Sequence, residues 1–320
     1  MLGIFRHNNP LSILLLLVLA FVAEYFKVGN AHVIADHPTT LLYKGVTDLL
    51  SPLNAQEHLS TNIIRYLIIT AEAFYLNKIA IDNKLLERST FLVALSFLLL
   101  NFLIPFKASF LLLLINAILM IVFHIFIIIY KKNNPFNNIL LCGFLIASLS
   151  LIVNSYMIFY VWLTIALLVM RPSSIREWSV MNIGFLIPYY FIVSVLYLID
   201  KFSLDAIATF VTPTLHLPVT APVVLAKMAL VVLLPLIGFS IGSTSINKMV
   251  LQNRKAYIIM FALMLGVILI NILNMDRIND YFYLTIVPAA VLFAPFFQSF
   301  RKDFIPNLVL VLLILLSCIR

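Results

Sequence analysis

Eleven stretches of this chain are apolar over lengths close to the width of a bilayer's hydrocarbon core, and that succession limits its folds more than any other feature. They lie at about 10–27, 59–80, 90–106, 108–130, 139–153, 156–170, 179–199, 222–241, 257–274, 282–297 and 306–319. Crossing about 30 Å of hydrocarbon takes about 20 residues of helix, so several of the runs are short. Lipid offers no water to backbone N–H and C=O groups, so each run must close its hydrogen bonds within itself. The expected fold is therefore all-α, a polytopic transmembrane bundle of about 11 spans forming one integral-membrane domain over residues 1–320. Only Asn154 and Ser155 part the fifth and sixth runs, so 139–170 is either two spans or a re-entrant hairpin.

Composition excludes a soluble alternative. Apolar residues are 63% of the 320, charged residues 11%, and mean hydropathy is +1.10. A soluble domain holds about 45–50% apolar and about 25% charged residues. A net charge of +8 in a soluble chain would suggest nucleic acid; here the basic residues fall in short connections between runs, so topology accounts for them and no nucleic-acid partner is expected. Cys142 and Cys318 lie far apart inside apolar runs, with no second thiol at metal spacing, and read as buried fillers. No metal or cofactor is expected.

The distribution of Lys and Arg orients the bundle. With the N-terminus cytoplasmic, Arg6, Lys78, Lys84, Arg88, Lys131, Lys132, Arg171, Arg176, Lys248, Arg254, Lys255, Arg301 and Lys302 fall on the inner side, 13 of the 21. The other side receives Lys27, Lys44, Lys107, Lys201, Arg277 and Arg320, while Arg65 and Lys227 lie well inside runs. The C-terminus is then outside. Arg6 ahead of an apolar core ending near Ala20 and Ala23 is also the pattern of a secretory signal peptide; the reading adopted is a first span.

The longest polar interval, 28–58, falls on the outer side. It carries Asp36, Asp48 and Glu57 with His32, His37 and His58. Leu41, Leu42, Val46, Leu49 and Leu50 share one face of a helix expected to lie on the bilayer surface. Asp200, Asp205, Asp276 and Asp280 join the acids on that side.

Glu24, Arg65, Glu72, His124 and Lys227 are the ionisable groups whose place in the runs is costly. A charge at mid-bilayer costs roughly 2.5–3.5 kcal/mol on insertion scales, so each should face protein or water. Arg65 and Glu72 are seven residues apart, on one helix face but too distant for a direct bond. Glu24 and Arg65 can equally snorkel to the outer interface, and His124 fits a helix-packing hydrogen bond. Phosphate loops, paired metal-binding His, Cys pairs, nucleophile elbows and repeats of 20–50 residues are all missing from the sequence. With 8 glycines in the chain, packing is expected to lean on Leu, Ile, Phe and small polar residues.

Two resemblances arise from these segments. A span, an outer loop with acids and a surface helix, then a further span resembles the layout of GT-C polyprenyl-phosphate-dependent glycosyltransferases; 138–170 and 275–295 are similar in style to later spans of that class. The resemblance implies a catalytic carboxylate in the first outer loop, Asp36 first and Asp48 second, with Arg65 or Arg277 holding phosphate. The opening "MLGIFRHNNPLSILLLL", "NKLLERSTFLVAL" (83–95), "RPSSIREW" (171–178) and "GFLIPYY" (184–190) resemble an uncharacterised family of Bacteroidota inner-membrane proteins, which implies a bacterial cell envelope. Arg171, Pro172, Arg176, Glu177 and Trp178 then form a cytoplasmic capping loop.

Three functions follow. As an enzyme, an outer carboxylate takes the proton of an acceptor hydroxyl while a sugar leaves its polyprenyl phosphate and an Arg or Lys steadies that phosphate. As a non-catalytic subunit, the helices scaffold membrane-protein partners of an envelope complex. A transporter is the third, favoured by Glu72 and Lys227 inside the bilayer.

Overall fold

A computed structural model describes residues 5, 10–27, 45–46, 48–50, 59–86, 90–104, 106–171, 174–198, 222–274, 281–300 and 304–318. Among these residues every regular element is helical. In chain order the helices are α1 (Pro10–Phe26), α2 (Leu59–Asp82), α3 (Leu92–Leu103), α4 (Phe110–Ile129), α5 (Phe136–Ile152), α6 (Ile158–Met170), α7 (Ile175–Leu198), α8 (Pro222–Ile246), α9 (Leu251–Leu273), α10 (Ile286–Ser299) and α11 (Phe304–Cys318). Short 3-10 turns, Asn154–Met157 and Phe282–Thr285, lead into α6 and α10. Among the described residues five segments are long and apolar enough to cross a membrane: Phe110–Ile129, Ile175–Val195, Leu225–Thr244, Leu251–Leu273 and Phe282–Ser299.

Burial is arranged for a lipid solvent. Large apolar side chains such as Leu14, Phe21, Leu67, Leu186, Phe191 and Leu233 stand exposed, while Arg65, Glu72, Asn77, Asn101, Asn116 and Asn271 are buried. A water-soluble protein does the reverse with its charges. The chain is built as a helical membrane protein.

The bundle has a centre and a rim. α3 is buried along all of its twelve residues and packs against α1, α2, α8, α10 and α11. At 1.5 Å per residue it is about 18 Å long, short of the hydrocarbon width. The run at 90–106 is therefore a protein-enclosed helix followed by a non-helical link, and Pro105 supplies the reason. The residue before a proline is pushed out of the α region, and Ile104 is extended at φ −73°, ψ 119°. Ser109 restarts the chain as the N-cap of α4, its Oγ accepting from Leu112 N at 3.3 Å. Of the segments long enough to cross, Phe282–Ser299 is 89% buried and Ile175–Val195 only 22%, so α10 shares the centre and α7 forms the flank.

Glycine sets the two most extensive helix contacts, α5 with α7 and α8 with α10. A Cβ on Gly143 would lie 2.6 Å from Met181 O, and one on Gly184 would strike the Leu140 carbonyl. Gly238 and Gly242 stand likewise against Phe293 and Pro295. The core is still mostly Leu, Ile and Phe, but at these two crossings glycine sets the approach, since backbones come close only where no side chain intervenes.

Segment 139–170 forms two helices. Ser155 Oγ donates to Asn274 Oδ1 at 3.0 Å just past the C-terminal end of α9, and Met170 O accepts from Lys255 Nζ at 3.2 Å near its N-terminal end. Residues 154–170 thus run nearly the full length of α9, which at 23 residues is about 34 Å long. A shallow re-entrant turn would not reach both ends.

Candidate functional site

Both ends of the bundle carry polar groups, with different jobs. At the Lys255 end, side chains from the start of α9 and from 171–177 cover helix C-termini. Gln252 Nε2 donates to Ile127 O at 3.0 Å, Tyr257 Oη to Leu85 O at 2.7 Å, Asn253 Nδ2 to Lys84 O, and Arg171 Nη1 to Lys132 O at 2.8 Å. The last carbonyls of a helix lack intrahelical donors and carry partial negative charge, so cations and amides there stabilise the ends. Lys84, at φ 53°, makes the turn that ends α2. Arg171 Nε also meets Glu177 Oε1 at 3.2 Å, and Trp178 packs on the core while Arg176 is exposed. This end is structural.

The opposite end gathers a polar cluster where α1, α2, α3 and the 104–109 link meet. Lys27 Nζ lies 3.0 Å from Glu24 Oε1 and donates to Asn101 Oδ1 at 2.7 Å. Asn101, in the last turn of α3, also approaches Glu24 Oε1 at 3.5 Å. Arg65, 3% exposed, donates through Nε to Ala108 O at 3.0 Å and through Nη1 to Asn62 Oδ1 at 3.1 Å, its guanidinium 5.1 Å above the Phe110 ring. The non-helical link leaves carbonyls without ladder partners, and Arg65 satisfies one of them. Those bonds use two of its five N–H donors. Arg65 and Lys107 both lie close enough to repel the Lys27 ammonium. Among the described residues the cluster holds three cations against one carboxylate.

Beneath it, Tyr283 in the turn before α10 is fully buried and interacts electrostatically with Glu24, Arg65 and Glu72. Among the described residues neither its hydroxyl nor either carboxyl oxygen of Glu72 has a hydrogen-bond partner. One turn further along α2, Tyr75 Oη and His124 Nδ1 are 3.2 Å apart, which gives His124 a packing partner.

Beside this turn an apolar crevice of about 370 Å³ opens between α8 and α9, lined by Leu225, Met228, Val232, Ile268, Asn271 and Phe282 among others. Phe282 and Tyr283 are neighbours, so one turn borders both the crevice and the polar cluster. Lys227, 7% exposed, turns instead toward the end of α11, where Ser317 O accepts from Nζ at 3.4 Å.

Of the residues singled out from the sequence, Glu24, Arg65 and Glu72 belong to this assembly, while Lys227 and His124 sit apart from its head. Asp36 and Arg277 lie outside the described residues, as do Leu41, Leu42, Asp200, Asp205, Asp276 and Asp280. Asp48 is exposed. Val46 and Leu50 pack on the core and Leu49 is 77% exposed. Sequence reasoning missed Lys27, Asn101, Lys107 and Tyr283 as site residues. An Asn inside an otherwise apolar run was a usable signal for Asn101; Tyr283 carried none. No family model, no curated protein and no solved structure matches this chain.

Proposed function

We propose that the protein is an eleven-span component of a bacterial inner membrane, N-terminus cytoplasmic and C-terminus periplasmic, that holds a lipid-linked phosphate on its outer face. The supporting observation is the excess of positive charge at the Lys27 end, with Arg65, Lys27 and Lys107 against Glu24. Arg presents several N–H donors to phosphate oxygens, and a low-dielectric surround strengthens such bonds. The neighbouring crevice is apolar and open on the flank, as a polyprenyl or acyl chain requires. In the glycosyltransferase form of this proposal Asp36, or failing it Asp48, is the general base, and Arg65 or Arg277 holds the phosphate.

Binding of polyprenyl phosphate to the purified protein, followed by native mass spectrometry, tests the site. Arg65→Gln should weaken it at least tenfold relative to a zwitterionic lipid. For the enzymatic step, Asp36→Asn and Asp48→Asn strains at normal protein levels should lose about 10²–10⁴ in rate at the affected residue, changing the envelope glycans. Unchanged glycans in both strains retire the enzyme and favour the second reading, a scaffolding subunit, to which the exposed apolar flank of α7 lends itself.

A further inference from the structure

Glu72, near the middle of α2, is a buried acid that no neighbour among the described residues neutralises. It is 4% exposed, and neither carboxyl oxygen is hydrogen-bonded among the described residues. An ionised carboxylate in such surroundings is costly unless a cation, water or a proton accompanies it. The groups that could play the first part are few. From the end of α1 come Glu24, itself an acid, and Lys27, paired with Glu24 and Asn101; from α2, Arg65, two turns or about 10.5 Å along the axis and bonded to Ala108 and Asn62. From α4 comes His124, bonded to Tyr75, and from the turn before α10, Tyr283; α3 contributes no titratable side chain. Asn116, on α4, adds a buried amide without partners among the described residues, on a helix packed against both α2 and that turn.

Tyr283 gives this site a direction. Its hydroxyl has no hydrogen-bond partner among the described residues, and it interacts electrostatically with Glu72 as well as with Glu24 and Arg65, so it couples the acid to the polar cluster. We infer that Glu72 is a proton-binding site of the membrane interior, exchanging with the Lys27 end of the bundle past Tyr283. On release the acid O–H bond breaks, its electron pair stays on the carboxylate, and the proton passes to water at that end; the Tyr283 hydroxyl then donates to the charged form. This inference is independent of the phosphate-binding proposal.

The test uses the full-length protein in lipid nanodiscs. Infrared difference spectra should show the carbonyl stretch of a protonated carboxylic acid that disappears as pH rises, is missing in Glu72→Gln and titrates with a displaced midpoint in Tyr283→Phe. Should Glu72→Gln not fold, dicyclohexylcarbodiimide, which attacks protonated carboxyls, should label Glu72 in the wild type, with labelling falling as pH rises. A band or adduct that does not change with pH overturns the inference, as does the lack of any adduct on Glu72. Protection from labelling by sodium at constant pH also overturns it, in favour of a metal-cation site.

Discussion

Replacing Gly143 with alanine tests whether close backbone approach, rather than side-chain bulk, holds α5 to α7. The added Cβ would lie 2.6 Å from Met181 O, 3.0 Å from Phe185 N and 3.2 Å from Gly184 C, against an ordinary contact of at least 3.4 Å. All three are backbone atoms, so no rotamer change relieves the clash. α7 must retreat by about 0.8 Å, and a gap of 0.5–1 Å forfeits about a quarter to a half of each dispersion contact along the crossing. Overpacking of this kind costs about 1–3 kcal/mol, and the higher helix propensity of Ala returns about 0.5–1 kcal/mol. The net expectation is a loss of about 1–2 kcal/mol. Gly266, whose Cβ would meet nothing closer than Ile158 Cγ2 at 4.0 Å, supplies the opposite sign: Gly266→Ala should stabilise by about 0.5–1 kcal/mol. Thermal unfolding of the two variants in one detergent reads both. If Gly143→Ala matches or exceeds the stability of Gly266→Ala, the close-packing argument fails.

Two further predictions follow from the charges. Lys27→Ala leaves the part-buried Glu24 without its cation and should cost about 2–4 kcal/mol, whereas Lys27→Met combined with Glu24→Gln should recover most of it; a double variant no better than the single one would assign the loss to packing. For orientation, cysteines at 45 and 250 should react with an impermeant reagent from outside the cell and only after permeabilisation, respectively, and the reverse pattern overturns the proposed topology.

Much of the architecture was written in local chemistry. Apolar runs that must satisfy their own backbone in lipid have little choice but to be helices, and the described helices fall on those runs. Polar residues that lipid penalises were bound to turn inward, and Arg65, Glu72 and Lys227 do. Hydrophobicity does not say which apolar helix sits at the centre, because lipid tails and protein interior are equally apolar; α3 is enclosed and α7 is not for reasons of shape. The glycine crossings are decided by how partners meet, since Gly143 is unremarkable until Met181 stands beside it. The polar cluster shows the same division. Glu24, Arg65 and Glu72 could be picked out by their cost in lipid, but their assembly with Lys27, Asn101 and Tyr283 joins positions as far apart as 24 and 283. Such partnerships arise only when helices distant in sequence are packed side by side, because a side chain's neighbours across a helix interface leave no periodic trace in its own segment.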